Sequence, residues 1–372
     1  MNIILIFTYG VSLKNWDNSG LIQREILLYE KLHKMYGIKF IFITFGDEQD
    51  EKYKHIYDFI EVVPVYKYIE RSKFEILNLI RICLFSKQLK TLIKNPSLIK
   101  TNQMTGSILG IFLKRYLKIP FIVRTGYNIY DFSKYEKRRV LVRFFYFVLT
   151  QLTLLFSDTY LVTSYVDKYS LKSKFFTKNN IKVFPNWVVM PIRDKKKERY
   201  SNKILSIGRL ENQKNYIELI NKIKNSKYGL TIVGSGTLKN EIISKSKDLN
   251  IDLEIIDRVG YEEIFSVYQK YKIFISASSF EGNPKVVLEA MANGCLVIAK
   301  NNKNIKEIIR HKVNGILYSD DDDLNSIIKF YLNSESERLK IVSAAYKYIE
   351  NNNLLDRLCE KEHEEYLRLL KN

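Results

Sequence analysis

The chain is predicted to be an α/β protein built from two Rossmann-like, doubly wound parallel-sheet domains. Three observations carry this. Short apolar runs alternate with helical patterns through the first half, and the same rhythm restarts after a charged break near residue 190. A chain of 372 residues also exceeds one ordinary core while suiting two of similar size. With 46% hydrophobic residues, 15 glycines and only 6 prolines, it is globular rather than disordered.

In chain order, "NIILIFTY" is the first strand, followed by a helix from about Leu21 to Met35. "KFIFITF" and "FIEVVPV" are the next strands. "FIVRTGY" follows Pro120, a long helix comes after it, and "TYLVTS" is a strand near 159–164. "IKVFPNWV" (181–188) closes the half, and "RDKKKERYSNK" (193–203) has the composition of a solvated linker. Strands then recur as "ILSIGRL", "YGLTIVG", "LEIIDRVG", "KIFISAS" and "CLVIA", each followed by helical sequence. The expected domains are 1–190 and 191–352, with an amphipathic last helix, about 353–370, packing back toward the first domain.

The formal net charge is +19, and about +14 of it lies before residue 190, an asymmetry that points to an acidic partner such as nucleic acid or an anionic membrane surface. The longest apolar stretch, "VLVRFFYFVLTQLTLLF" (140–156), is interrupted by Arg143 and Gln151 and is short for a membrane span. A buried or surface-docked helix is expected there. Cys83, Cys295 and Cys359 are widely spaced and odd in number, which gives no disulfide framework and suits a reducing compartment. "MNIILIFTYG" lacks a basic leader and a cleavage site, so it is expected to be a strand and not a signal peptide.

Ligands of doubly wound sheets bind beyond the carboxyl ends of strands, so those loops hold the candidate residues. Arg209 and Lys214 follow "ILSIG", five residues apart, and fit a diphosphate clamp or two solvated surface cations. Gly234 and Gly236 lie between a strand and a helix, but Lys239 stands where a dinucleotide fingerprint needs a third glycine. A tight strand-to-helix turn explains them equally. "SDDDD" (319–323) sits where helix caps and first-turn acids belong, and capping is preferred over a divalent-metal site. The four histidines lie apart, so neither a Ser-His-Asp triad nor a zinc site assembles from sequence neighbours.

In "SFEGNPKVVLEAMANGCLVIA" (279–299), Asn283 is expected as an N-cap and Pro284 as the first helical residue, with Gly294 as the stop. Glu281 then sits ahead of the helix mouth, and Glu289 leans back toward it from mid-helix. Carboxylates converging with the free amides of a helix start suit a hydroxyl-rich ligand.

Together these stretches resemble the retaining GT-B glycosyltransferases of the E-x7-E type, the group 1, family 4-like enzymes. "SIGRLENQKNY" is similar to the family's Gly-Arg-Leu with a lysine five after the arginine, and "TIVGSG" to its strand and Gly-x-Gly turn. "DRVGYEEIFSVYQKYKIFISAS" and "KVNGILYSDDDDLNSII" follow in family order across roughly 200–330. The first half matches in outline only. Lys303 and Asn304 replace a family Gly-Gly pair, and Gly126 stands about where the family often carries a histidine.

The resemblance implies roles. Glu289 would bind ribose hydroxyls, Glu281 would hold the donor sugar, and Arg209 and Lys214 would neutralise the departing diphosphate. Gly282, Asn283 and Lys285 would offer backbone amides, with Gly208 and Val259 as further donor contacts. On the acceptor side it points to Gly20, Arg124 and Tyr127, and to Trp16 and Asp17 in "YGVSLKNWDNSG" (9–20), a stretch that equally fits a surface loop with Asp and Ser as turn formers. It implies no cofactor and no metal, with a UDP- or GDP-sugar as substrate. The expected partners are a nucleotide-sugar donor, a glycan or polyprenyl-linked acceptor and an anionic membrane surface, with no nucleic acid. The expected place is the cytoplasm, peripherally on the inner face of the membrane, in surface polysaccharide assembly. The rivals are a GT-B sugar-nucleotide 2-epimerase, a basic nucleic-acid-binding protein and a non-catalytic scaffold.

Overall fold

The structure, a computed structural model, describes residues 1–178, 180–192 and 198–371. Part of the expected linker, residues 193–197, lies outside the described residues. The chain divides into two compact units: Met1–Phe184 together with the segment from Leu358 onward, and Pro185–Arg357. The changeovers therefore fall at 184/185 and 357/358, not at 190/191 and 352/353. Hydrogen bonding explains the shift, because Asn186 and Val188 are bonded to Asn283 and Asn353 of the second unit.

The first unit holds seven parallel strands: β1 Asn2–Ile6, β2 Lys39–Thr44, β3 Ile60–Pro64, β4 Leu98–Thr101, β5 Phe121–Arg124, β6 Thr159–Val162 and β7 Ile181–Val183. Their order across the sheet is β3-β2-β1-β4-β5-β6-β7. Ile3, Ile4, Leu5 and Ile6 are fully buried, as a central strand covered on both faces requires. In this unit one strand escaped the sequence reading. β4 was missed because Lys100 interrupts its apolar run, yet Lys100 is fully buried, its ammonium bonded to Glu362 and Tyr366 of the last helix.

The second unit holds six: β8 Lys203–Ile207, β9 Gly229–Val233, β10 Leu253–Ile256, β11 Ile273–Ser276, β12 Leu296–Lys300 and β13 Ile316–Tyr318. Their order is β10-β9-β8-β11-β12-β13, again all parallel. The expected pair of Rossmann-like sheets is thus present. In each sheet the strand order reverses once, between β1 and β4 in the first unit and between β8 and β11 in the second. Chains leaving such a strand pair diverge to opposite faces and open a crevice at their carboxyl ends.

Asp323 caps the Leu324–Asn333 helix, accepting from the amides of Asn325 and Ser326 at 3.0 and 3.3 Å. Asp320 instead pairs with Lys300 at 2.8 Å. The acidic run is therefore engaged in capping and ion pairing.

Candidate active site

The crevice between β8 and β11 is built by two loops stitched together. The backbone amide of Ser279 donates to the Gln213 carbonyl at 3.1 Å, and the Gln213 side chain donates back to the Phe280 carbonyl at 2.7 Å. This brings Lys214 to Glu281, with Nζ 2.5 Å from Oε1 and both side chains largely buried. Arg209 is exposed, and its guanidinium donates to Gln213 Oε1 at 3.4 Å. Two cations and a carboxylate distant in sequence thus share one strand edge.

The glycines around them answer to packing. A Cβ on Gly208 would stand 2.9 Å from Lys214 Cε, so this glycine leaves room for the lysine stem. A Cβ on Gly234 would lie 2.0 Å from the Gly208 carbonyl oxygen, and one on Gly236 would lie 2.5 Å from that of Leu210. Gly234 and Gly236 therefore let the turn after β9 close on the loop after β8, the tight-turn alternative.

The helix beyond β11 spans Lys285–Ala292, with Pro284 and not Asn283 as its N-cap. Asn283 is drawn elsewhere: its Oδ1 accepts from the Asn186 amide at 2.9 Å, and its carbonyl accepts from Asn186 Nδ2 at 2.5 Å. The two asparagines clasp the segment before the helix to residues 185–188. Lys285 places its ammonium 4.3 Å from the centre of the buried Trp187 ring, a cation–π contact. Gly282 is buried beside Glu281. The helix closes at Gly294, φ +78°, whose amide bonds to Met291 while that of Cys295 bonds to Ala290, a Schellman end.

Glu289 is 6% exposed and accepts a hydrogen bond from the Tyr268 hydroxyl at 3.0 Å. That hydroxyl also lies 3.2 Å from the Val286 carbonyl, so the carboxylate stands beside the first turn of its own helix. Val259 is half-buried, packed against the core cluster that contains Tyr268 and Val287. Asn302 ties a third loop in, its Nδ2 donating to the Ser278 carbonyl at 3.2 Å. Tyr268 and Asn186 carried no signal in sequence, since their partners lie 21 and 97 residues away. Gln213 lay within the loop already singled out.

In the first unit, the crevice between β1 and β4 contains a cavity of about 80 Å³ lined by Thr8, Gln103, Met104, Thr105, Thr125, Tyr127 and Ile129. Tyr127 is the expected acceptor residue found there. Trp16 requires correction: it is 5% exposed and stacks on Phe7 at 4.3 Å, because an indole after β1 gains more from the core than from solvent. Asp17 accepts from the Tyr53 hydroxyl at 2.7 Å. Gly20, φ +67°, turns the chain between the short helix Leu13–Asn18 and the helix Ile22–Tyr36. Arg124 is buried and donates to Glu362 at 3.3 Å, which directs it to the last helix.

Residues 191–348 match the family model "Glycosyl transferases group 1". The group 1 match contains the whole β8–β11 crevice. A curated relative is 31% identical over 153 residues, 39% of this chain and 42% of its own length: the GalNAc-alpha-(1->4)-GalNAc-alpha-(1->3)-diNAcBac-PP-undecaprenol alpha-1,4-N-acetyl-D-galactosaminyltransferase of Campylobacter jejuni. The chain spans less than half the length of the first curated relatives it matches. Among solved structures, sucrose-phosphate synthase from Thermosynechococcus elongatus has a TM-score of 0.81 at 15% identity, covering 100% of this chain and 99% of that one. Anabaena HepE in complex with UDP and glucose has a TM-score of 0.75 at 14% identity, covering 99% and 100%. At that identity these likenesses establish the fold, which is GT-B.

Proposed function

We propose that the chain is a retaining glycosyltransferase that moves a sugar from a UDP- or GDP-sugar to a glycan or polyprenyl-linked acceptor in bacterial surface polysaccharide assembly. One observation carries the reading: a lysine and an arginine are fixed, through Gln213 and Glu281, at the crevice where the β8–β11 strand order reverses. The group 1 match over this unit supports it, as does the undecaprenyl diphosphate in the name of the Campylobacter relative.

In this reading, the bond between the donor's anomeric carbon and the β-phosphate oxygen breaks as the acceptor oxygen bonds on the same face. The acceptor's proton passes to the departing phosphate oxygen. Negative charge grows on the diphosphate, and Arg209 and Lys214, already oriented, stabilise it more than they stabilise the ground state. Before the donor arrives, Glu281 holds Lys214 in place. Bound donor then draws the ammonium toward phosphate, and the carboxylate turns to sugar hydroxyls. Glu289, braced by Tyr268, accepts from ribose hydroxyls.

Two fixed cations supply the charge compensation, so the enzyme is taken as metal-independent, and turnover is expected to survive EDTA. The acceptor side is assigned to the neutral cavity of the first unit, and the place of work to the inner membrane face.

A thermal-shift and hydrolysis screen over UDP- and GDP-sugars tests the reading, repeated with Glu289→Ala and Lys214→Ala. Both variants are expected to lose the donor-induced shift. Wild-type donor binding in folded variants would reject the site.

A further inference from the structure

We propose that the outer helix face of the first unit docks on an anionic lipid bilayer through two apolar stripes flanked by cations. The stripes run along the helices Glu75–Leu92 and Val140–Phe156, and both helices show an apolar row to solvent. The inward face of the second buries Thr150 and Thr153 beside Leu149 and Leu154, the threonine hydroxyls donating to their own helix at 2.7 and 2.6 Å. Its outward face carries Val140, Leu141 and Phe144, with Leu141 82% and Phe144 64% exposed. The other helix buries Asn78 and Ser86 together with Ile82, Phe85 and Leu89, yet Phe74, Ile76 and Ile80, at its start, stand in solvent. A surface helix ordinarily buries its apolar side and shows its polar one. Two helices of one layer that show apolar rows to solvent as well mark a surface made to be covered.

The stripes share one layer, since the helix Ser107–Leu117 lies between them in contact with both. Cations precede each stripe: Arg71 and Lys73 before the first, and Lys134, Lys137, Arg138 and Arg139 before the second, all exposed. The one acid among the latter, Glu136, is taken by Arg138 at 2.7 Å. This charge selects the occupant. A second copy would bring like charge against like, whereas an anionic bilayer attracts the cations and admits the phenylalanines and leucines between its headgroups. Among the described residues no helix is long and apolar enough to cross a membrane, so the helices lie in the interface plane.

The arrangement also orients the protein. In a parallel α/β unit helices start where strands end, so the basic ends of both stripes lie at the carboxyl edge of the sheet, the edge holding the Thr8–Tyr127 cavity. Tyr9, just after β1, donates to Glu75 at 2.5 Å and ties that edge to the start of the first stripe. A docked bilayer would thus present lipid headgroups to the edge assigned to the acceptor. The inference takes its purpose from the lipid-linked acceptor of the proposed function, but vesicle binding is read without donor or acceptor, so the two fail separately.

The test is co-flotation of the full chain with vesicles of phosphatidylcholine alone or mixed with phosphatidylglycerol. Binding to the anionic vesicles is expected to be on the order of tenfold stronger and to weaken with salt. Leu141→Glu with Phe144→Glu should abolish it. Lys137→Ser with Arg139→Ser, which leaves the apolar stripe intact, should remove its dependence on phosphatidylglycerol. An unchanged melting temperature and circular dichroism spectrum show that both variants are folded. The proposal is overturned by equal binding to both vesicles, by no binding, by binding that survives both variants, or by a wild-type dimer that Leu141→Glu with Phe144→Glu converts to monomer.

Discussion

The two strand-order reversals share one topology and differ in chemistry. At β8–β11, charged side chains gather at the strand edge: Lys214 on Glu281, Arg209 on Gln213, and Glu289 beside the next helix's first turn. At β1–β4, the cavity is lined by threonines, a glutamine, a tyrosine and apolar groups. The first unit does hold buried cations on neighbouring strands, but Lys100 and Arg124 both turn to Glu362 on the last helix. The lesson is one of assignment. In the proposed reading one crevice keeps its charges for an anionic ligand, while the other commits its charges to anchoring a helix and leaves a neutral surface. Position on the fold alone would not separate them, since Arg124 and Arg209 occupy similar places at the ends of strands.

The largest effect is expected where charge is structural. Glu362→Ala leaves Lys100 fully buried without its carboxylate, and should destabilise the protein by about 3–5 kcal/mol in urea unfolding. The donor-induced thermal shift of the remaining folded protein should persist. Wild-type stability with altered acceptor kinetics would break the comparison, because Lys100 would then belong to the first crevice.

Next comes the charge kept for the ligand. Lys214→Met should lower turnover by roughly 10²–10³-fold, the size of effect seen when one preorganised charge-stabilising donor is removed. Its melting temperature should fall far less than that of Glu362→Ala, since Glu281 retains some access to water. Equal losses of stability in the two variants would erase the distinction between anchoring and ligand charge.

In the neutral crevice the expected effect is smaller. Tyr127→Ala removes a half-exposed ring packed on Phe132 and should raise the acceptor KM about tenfold, the scale of one modest contact. Donor binding should not change. A lost donor shift in this variant would sharpen the picture differently, by giving the first crevice a share of the donor.

Legibility in sequence followed the same divide. Strands such as "ILSIG" and "CLVIA" were visible because a central parallel strand, buried on both faces, is a short unbroken apolar run. β4 was not, because Lys100 breaks its run and its compensating Glu362 lies 262 residues on. Arg209, Lys214, Glu281 and Glu289 stood out by residue type and spacing, whereas their supports did not. Tyr268 under Glu289 and Asn186 against Asn283 follow from chain crossings that no local pattern encodes. Trp16 misled for a related reason: an aromatic in a polar loop suits a ligand or a core equally, and only packing on Phe7 decides. The helix start slipped by one residue because Asn283, a good cap by type, is held by Asn186.

The smallest effect concerns pH and again separates the units. Burial raises the Glu362 carboxyl, but the charges of Lys100 and Arg124 outweigh it and hold the group below the ordinary glutamate value of 4.5. Burial likewise raises Glu365, and hydrogen bonds from Arg368, Lys182 and Thr159 outweigh that too. A carboxyl depressed in the folded state binds fewer protons there than in the unfolded chain. Its contribution is therefore complete above the ordinary value and is lost as pH falls through the depressed one. Urea midpoints measured from neutral pH into the acid range should decline along that limb. Glu365→Gln should flatten part of it without moving the donor-induced thermal shift at neutral pH, because the last helix's carboxylates serve the first unit's fold and the donor's charges sit in the second. An acid limb unchanged by Glu365→Gln would mean that its bonds to Thr159 and Arg368, 2.5 and 2.7 Å long, add nothing that protonation can remove.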